Sequence, residues 1–197
     1  MRNMRPIVAG GIVLAASLLV GACGLFETRE PTAPQQPTEG CRPLTTSPTV
    51  GVIPNIEDFY GRVASATCYA STVDTSFVFQ PDPTDVTVAP PGRYDAWNDS
   101  VAVRVNGNIA NQQDFISVDL TDKGGAIFPD QDTEQRFYDY LLRVSFATSP
   151  DTLRYTGAAD ITFHRGDNGQ WTMTLWADHR GTVNDSTWGL LRGDNRF

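Results

Sequence analysis

Residues Ala159–Arg180, ADITFHRGDNGQWTMTLWADHR, read as two long strands folded back on a tight turn. Asp167-Asn168-Gly169 is the turn signal, because Asn-Gly accepts the positive φ angles that match the twist of flanking strands. Ile161 and Phe163 alternate with Thr162 and His164, and Met173, Leu175 and Ala177 alternate with Thr172, Thr174 and Trp176. The hairpin therefore has one apolar face and one mixed face. A sheet with such a face needs a cover.

Working outward, Gln135–Thr148 alternates strictly through Tyr138, Tyr140, Leu142, Val144 and Phe146, and Phe115–Leu120 alternates through Ile116, Val118 and Leu120. Both predict strands. A third, Ser76–Phe79, is stopped by Pro81 and Pro83. The cover comes from helical segments. Asn55, with Asp58 three residues on, can cap a helix whose stripe is Ile56, Phe59, Tyr60 and Val63, and a short helical piece follows around Thr67–Val73. In Tyr94–Gln112 the spacing of Trp97, Val101 and Val105 favours a helix opened by Asp95, although Val101, Val103 and Val105 also alternate into Asn106-Gly107 as a strand would. The tail beyond Thr182 offers Trp188 and Leu190-Leu191 to the sheet edge. Helices followed by long antiparallel strands define the α+β class.

The chain has 197 residues, enough for one domain with one core beyond its N-terminal region. Its net charge is −8, and removal of Arg2 and Arg5 with a leader makes it more acidic. Phosphate backbones repel such a surface, so no nucleic-acid partner is expected. Residues 1–22 carry a basic start, an apolar run from Ile7 to Val20 and the small residues Gly21-Ala22 before Cys23, which is the layout of a secretory leader. Val20-Gly21-Ala22-Cys23 resembles the lipobox of bacterial lipoproteins, with Val and Gly in place of the commoner residues at the first two positions. The resemblance implies cleavage before Cys23 and acylation of its thiol, palmitate included. Residues 23–48, rich in Pro, Thr, Gln and Glu, then form a tether, and 49–197 the domain. Gly24, where an inner-membrane retention signal would place aspartate, favours the outer membrane, facing periplasm or surface. In that oxidising compartment Cys41 and Cys68 are most simply a disulfide, since no further Cys or His stands at metal-ligand spacing.

A fold resemblance rests on several motifs: Phe77-Val78-Phe79 followed by Pro81-Asp82, the segment led by Trp97, Trp171-x-Met173-x-x-Trp176-x-Asp178, and Thr187-Trp188-Gly189-x-Leu191. Over residues 50–195 these are similar to the NTF2-like superfamily, in particular SnoaL-like lipoprotein domains. The resemblance implies a half-cone, a curved antiparallel sheet roofed on one face by short helices, with a pocket inside. Phe59, Tyr60, Tyr69 and Phe77 would line that pocket together with Phe79, Trp97, Tyr140 and Trp176, a set suited to a flat or apolar ligand. The competing reading is that these side chains fill the cone as core.

In the ketosteroid isomerases and SnoaL-type cyclases of the superfamily a carboxylate on the concave wall is the general base, and in the isomerases it directly precedes a proline after the first strand. Gln80 occupies that place here, before Pro81, and an amide cannot take a proton. The catalytic residue is therefore unknown, with Asp82, His164 and Asp178 as the candidates. Asp178 and His179 are adjacent on a strand and face opposite ways. No metal-ligand set, P-loop, dinucleotide glycine pattern or nucleophile elbow is present, so no metal or cofactor is expected. The expectation is an envelope lipoprotein whose domain, without catalysing a reaction, binds a small apolar ligand or a protein partner. The alternatives are a SnoaL-like enzyme doing acid/base chemistry of the isomerase, cyclase or hydrolase type, and a structural subunit whose cone mouth is sealed in a homodimer.

Overall fold

The hairpin joins β4 (Ser149–Arg165) to β5 (Trp171–His179) in a computed structural model that describes residues 40–61, 65–113, 115–146, 149–183 and 185–196. Its turn is not the two-residue form that Asn-Gly suggests. Gly166 N donates to Gln170 O at 2.9 Å, Gly169 N donates to Gly166 O at 2.8 Å, and Gly169 alone takes positive φ, at 75°. The loop is the longer hairpin form that ends on a left-handed glycine.

Five strands form one sheet in the order β1-β5-β4-β3-β2, where β1 is Val73–Gln80, β2 Phe115–Asp122 and β3 Thr133–Phe146. All neighbours are antiparallel except β1 and β5, which run parallel. The strand signals are thus confirmed, and the expected all-antiparallel sheet is corrected at its β1 edge. Parallel pairing there follows from connectivity: β1 enters before the central helix and returns to the sheet beside the last strand, with the whole meander between them.

The second correction lies in the hairpin itself. Thr162 pairs with Leu175 but Phe163 pairs with Met173, so Thr174 is an extra residue on β5. Such a bulge shifts the side-chain alternation by one. Trp171 and Met173 face the core before it, and Trp176 and Asp178 face the core after it, while Leu175 and Ala177 turn away. The uninterrupted stripe of Met173, Leu175 and Ala177 expected from the sequence does not exist.

The roof begins with a π-turn, Pro48–Val52, that runs into α1 (Ile53–Tyr60). Ile53, Ile56, Phe59 and Tyr60 form its buried face. Asn55 does not cap this helix. It lies inside it, buried, accepting from Arg42 N at 2.8 Å and donating to Arg42 O at 3.0 Å. Val63, the last residue of the expected stripe, lies outside the described residues. α2 (Ala66–Ser71) carries Cys68, disulfide-bonded to Cys41 with a Cα–Cα distance of 5.0 Å. Leu44 is buried in the core and its carbonyl accepts from Trp171 N at 2.8 Å, so packed structure reaches back to Cys41, within the stretch expected to be tether. The leader, Cys23 and the tether up to residue 39 lie outside the described residues.

After β1 come α3 (Pro83–Val88) and α4 (Asp99–Gln112). The helix expected over Tyr94–Gln112 exists, but Asn98, accepting from Val101 N at 3.1 Å, caps it rather than Asp95. Its buried face is Ala102, Val105, Asn106 and Ile109 at helical spacing, and Trp97 precedes it. The tail forms α5 (Trp188–Asp194), capped by Thr187, whose side chain accepts from Leu190 N. It does not lie along the sheet edge. Trp188 is fully buried against Trp176, Tyr140 and Tyr60, in the middle of the interior.

Candidate functional site

The bulge at Thr174 makes the site, because it aims both Trp176 and Asp178 inward from β5, between β1 and β4. Tyr140 reaches the same place from β3, Phe77 and Phe79 come from β1, and Phe59, Tyr60 and Tyr69 come down from α1 and α2. With Trp97, all eight side chains expected to line the cone are buried. Their rings touch edge to face or tilted: Phe79–Trp97 at 5.1 Å, Phe59–Tyr69 at 5.0 Å and Phe59–Tyr60 at 5.1 Å between centroids.

Two side chains of α5 complete the interior. The Trp188 ring meets Trp176 at 4.8 Å, Tyr60 at 5.2 Å and Tyr140 at 5.7 Å. The Arg192 guanidinium carbon sits 4.3 Å from the Trp176 centroid, 4.6 Å from Trp188 and 4.8 Å from Phe79. Arg192 is 2% exposed, and its Nε and Nη1 find no acceptor among the described residues. A guanidinium in an aromatic cage is attracted by the ring faces, by about 2 kcal/mol where water is excluded, but its N–H groups go unpaid by that contact.

A polar cluster lies beside the cage. Asp178 Oδ2 accepts from Gly189 N at 2.6 Å, and the Tyr140 hydroxyl lies against the same carboxyl while accepting from Trp188 N at 3.0 Å. Burial pushes the Asp178 carboxyl up to about 6 and nearby Asp85 pushes the same way, against Tyr140, Arg192 and the Gly189 N–H, which favour the charged form. Asp85, fully buried, accepts from the Arg180 guanidinium and from the Thr187 hydroxyl. Gly189 threads between the two carboxylates: a Cβ there would stand 2.6 Å from Asp178 Oδ2 and 3.1 Å from Asp85 Oδ2. On the roof side, Tyr60 donates to Asn106 Oδ1, and Asn106 Nδ2 donates to Tyr69 Oη at 2.6 Å and to Ala102 O at 2.8 Å. Burial raises both phenols above their ordinary value.

Of the three candidate catalytic groups, only Asp178 reaches this interior. Asp82 caps α3, accepting from Thr84 N at 2.8 Å and from Arg180 N at 2.9 Å. Partial burial works to raise its carboxyl, but these bonds hold it below the usual range. It ties the end of β1 to the end of β5. His164 is exposed near the turn, and His179, exposed on the opposite side of β5 from Asp178, pairs with Asp160 at 3.2 Å. Gln80 is exposed at the end of β1. Among the described residues no group of three His, Cys, Asp or Glu side chains is placed to hold a metal ion. A surface hollow of about 460 Å³ between α2, β1 and α4 is lined by Val73, Thr75, Val103 and Arg104 among others, and touches none of the cone interior.

Sequence reasoning missed Arg192, Asp85 and Asn106, and named Thr187 only as part of a motif. For Asn106 a signal existed, since it falls four residues after Ala102 on the apolar face of α4. The others answer to partners far along the chain.

No protein-family model matches the sequence, and neither does any curated protein sequence. Solved structures do match. A protein from Novosphingobium aromaticivorans provisionally named an aromatic ring hydroxylase superposes with a TM-score of 0.55 at 12% identity, over 74% of this chain and 92% of that one. One from the same organism, provisionally named a scytalone dehydratase, gives 0.53 at 10% identity over 69% and 86%. A type 2 hexachlorocyclohexane dehydrochlorinase gives 0.52 at 11% identity over 66% and 81%. At such identities the likeness is one of fold: the domain is an α+β, NTF2-like half-cone.

Proposed function

We propose that this chain is a lipid-anchored protein of the bacterial envelope whose half-cone binds rather than catalyses. The observation that weighs against catalysis is the occupied interior: Trp188 and Arg192 of the chain's own tail stand among the aromatic side chains that would otherwise meet a substrate. Asp178, the one candidate base facing inward, has its Oδ2 engaged by Gly189 N and lies against the Tyr140 hydroxyl. A general base needs the substrate's proton within hydrogen-bond reach, and here α5 fills that space. The leader, the lipobox-like Val20–Cys23 and the Pro- and Thr-rich tether support the envelope setting, where acyl chains hold a domain at a bilayer by about 0.8 kcal/mol per buried methylene.

Two measurements test this. Cys23→Ala should release the protein from membranes to the soluble fraction; unchanged fractionation refutes the anchor. Envelope lipids and hydrophobic metabolites should bind in a mass-spectrometric screen without turning over, and turnover that Asp178→Asn abolishes would overturn the non-catalytic reading.

A second reading has an observation of its own. A buried carboxyl with its pKa lifted to about 6 beside a phenol is the kind of group that serves as an acid or base near neutrality, and fold neighbours include proteins named as a dehydratase and a dehydrochlorinase. On that reading α5 leaves the cone before substrate enters.

A further inference from the structure

The geometry points to an organic cation as the ligand of the cone, with Arg192 of α5 holding its seat until it arrives. This rests on the binding reading above and names its ligand class.

Without α5, the wall around the guanidinium position would present the ring faces of Phe79 and Trp176, with the Asp178 carboxyl, whose Oδ1 has no hydrogen-bond partner, nearby. Aromatic faces combined with a buried carboxylate form a recognition site for positive charge on an apolar body. Arg192 is an imperfect occupant of it. The rings are satisfied, but Nε and Nη1 stay unpaired inside the protein, at the cost that any buried unmade hydrogen bond carries. A ligand whose donors reach Asp178, or that carries fewer donors, avoids this cost. Charge also counts against an anionic guest: the full chain bears a net charge of −8, which draws cations to its surface and repels anions. The seat is in the last described helix, which is seven residues long, so it can leave without unthreading any strand. Its polar ties reach across the chain: Gly189 N to Asp178, Trp188 N to Tyr140, Tyr94 Oη to Gly189 O at 3.1 Å, Arg93 to Asp194, Asn108 Nδ2 to Asn195 O at 3.1 Å, and, just beyond the helix, Arg196 to the carbonyls of Gly92, Arg93 and Asp95.

Benzamidinium, a flat aromatic cation, is the probe, with neutral benzamide and anionic benzoate as controls, each added at neutral pH to the full-length protein in detergent. Benzamidinium should raise the melting temperature while the controls do not, and amide hydrogen exchange across Trp188–Asp194 should accelerate as the helix gives way. Arg192→Ala removes the competitor and should bind the probe about tenfold more tightly, since apparent affinity is reduced by the fraction of chains whose seat is taken. Should that variant lack a cooperative transition, recovery of the transition on adding benzamidinium supports the proposal. Equal binding of benzamide, preference for benzoate, slower exchange in α5, or no gain from Arg192→Ala overturns it. So does the absence of wild-type binding together with an unrescued variant. None of these readouts involves turnover or membrane release, so the cation can fail while the binding reading stands, whereas failure of the binding reading shows as no guest of any charge being held.

Discussion

Asp178→Asn should flatten the stability of this domain against pH. The Asp178 carboxyl is 1% exposed and titrates at about 6 instead of 3.8. The folded chain holds this proton more tightly than the unfolded one, so the stabilisation is complete below about pH 4 and disappears as pH rises through 6. A displacement of about two pH units at 1.36 kcal/mol each makes the effect about 3 kcal/mol. The groups facing the carboxyl are Tyr140 from β3, Arg192 from α5 and Asp85 from α3; Asp85 opposes its ionisation and the other two favour it. Asparagine keeps an oxygen for Gly189 N and has nothing to titrate. Urea unfolding at intervals from pH 4 to pH 8, for wild type and variant, gives two curves whose difference cancels every group they share, including Glu57, which burial also raises. The wild type should lose about 3 kcal/mol relative to the variant across that range. Asp74 and Asp82, held low by hydrogen bonds, contribute in the opposite sense only as pH falls through their own depressed values, below the window. A difference that stays flat, or a wild type that gains on the variant as pH rises from 4 to 8, would refute the burial of Asp178 and with it the inward turn of β5 after Thr174.

Three further outcomes are expected. Reducing Cys41–Cys68, which spans a sequence separation of 27, should cost about 3–4 kcal/mol in the chain-entropy model, read as a fall in melting temperature with dithiothreitol that Cys41→Ser reproduces. Trp188→Ala should cost about 3–5 kcal/mol in chemical denaturation, as removal of a fully buried indole does; a loss under 1 kcal/mol would mean the tail is not seated in the cone. Gly189→Ala places a methyl group against Asp178 and Asp85 and should cost about 1–3 kcal/mol, read by chemical denaturation.

The sequence made the sheet readable because period-two alternation is a local property. Tyr138, Tyr140, Leu142 and Val144 point inward as their spacing demands, and β4 presents Ile161 and Phe163 to the same side. The helices were readable for the same reason, although their caps were not: Asn98 rather than Asp95 starts α4, and Asn55 serves Arg42 instead of the first turn of α1. At Thr174 local reading failed. Met173, Leu175 and Ala177 form a faultless apolar alternation, and only pairing with β4, where two residues of β5 face one step of its partner, shows that the chain slips there. Trp176 and Asp178 nonetheless face inward, as the family motif rather than the alternation suggested. Arg192 could not be found by any local rule. Its partners Phe79 and Trp176 are on β1 and β5, and a lone arginine in a short tail helix looks like a solvated residue until those strands close around it.

One extra residue therefore connects the fold to the site. Were Thr174 absent, Leu175 and Ala177 would face the cone and Trp176 and Asp178 the solvent, leaving a dry aliphatic wall. Such a wall would suit Trp188 but would offer Arg192 neither a ring beneath it nor a carboxylate beside it, and a buried unpaired guanidinium would then be untenable. The bulge and the arginine are parts of one arrangement: the first creates a place for positive charge inside an apolar cone, and the second shows that positive charge is what the place holds. Water-filled or purely apolar cones need neither feature. Their joint presence is the reason to look for a cationic ligand here before an apolar one.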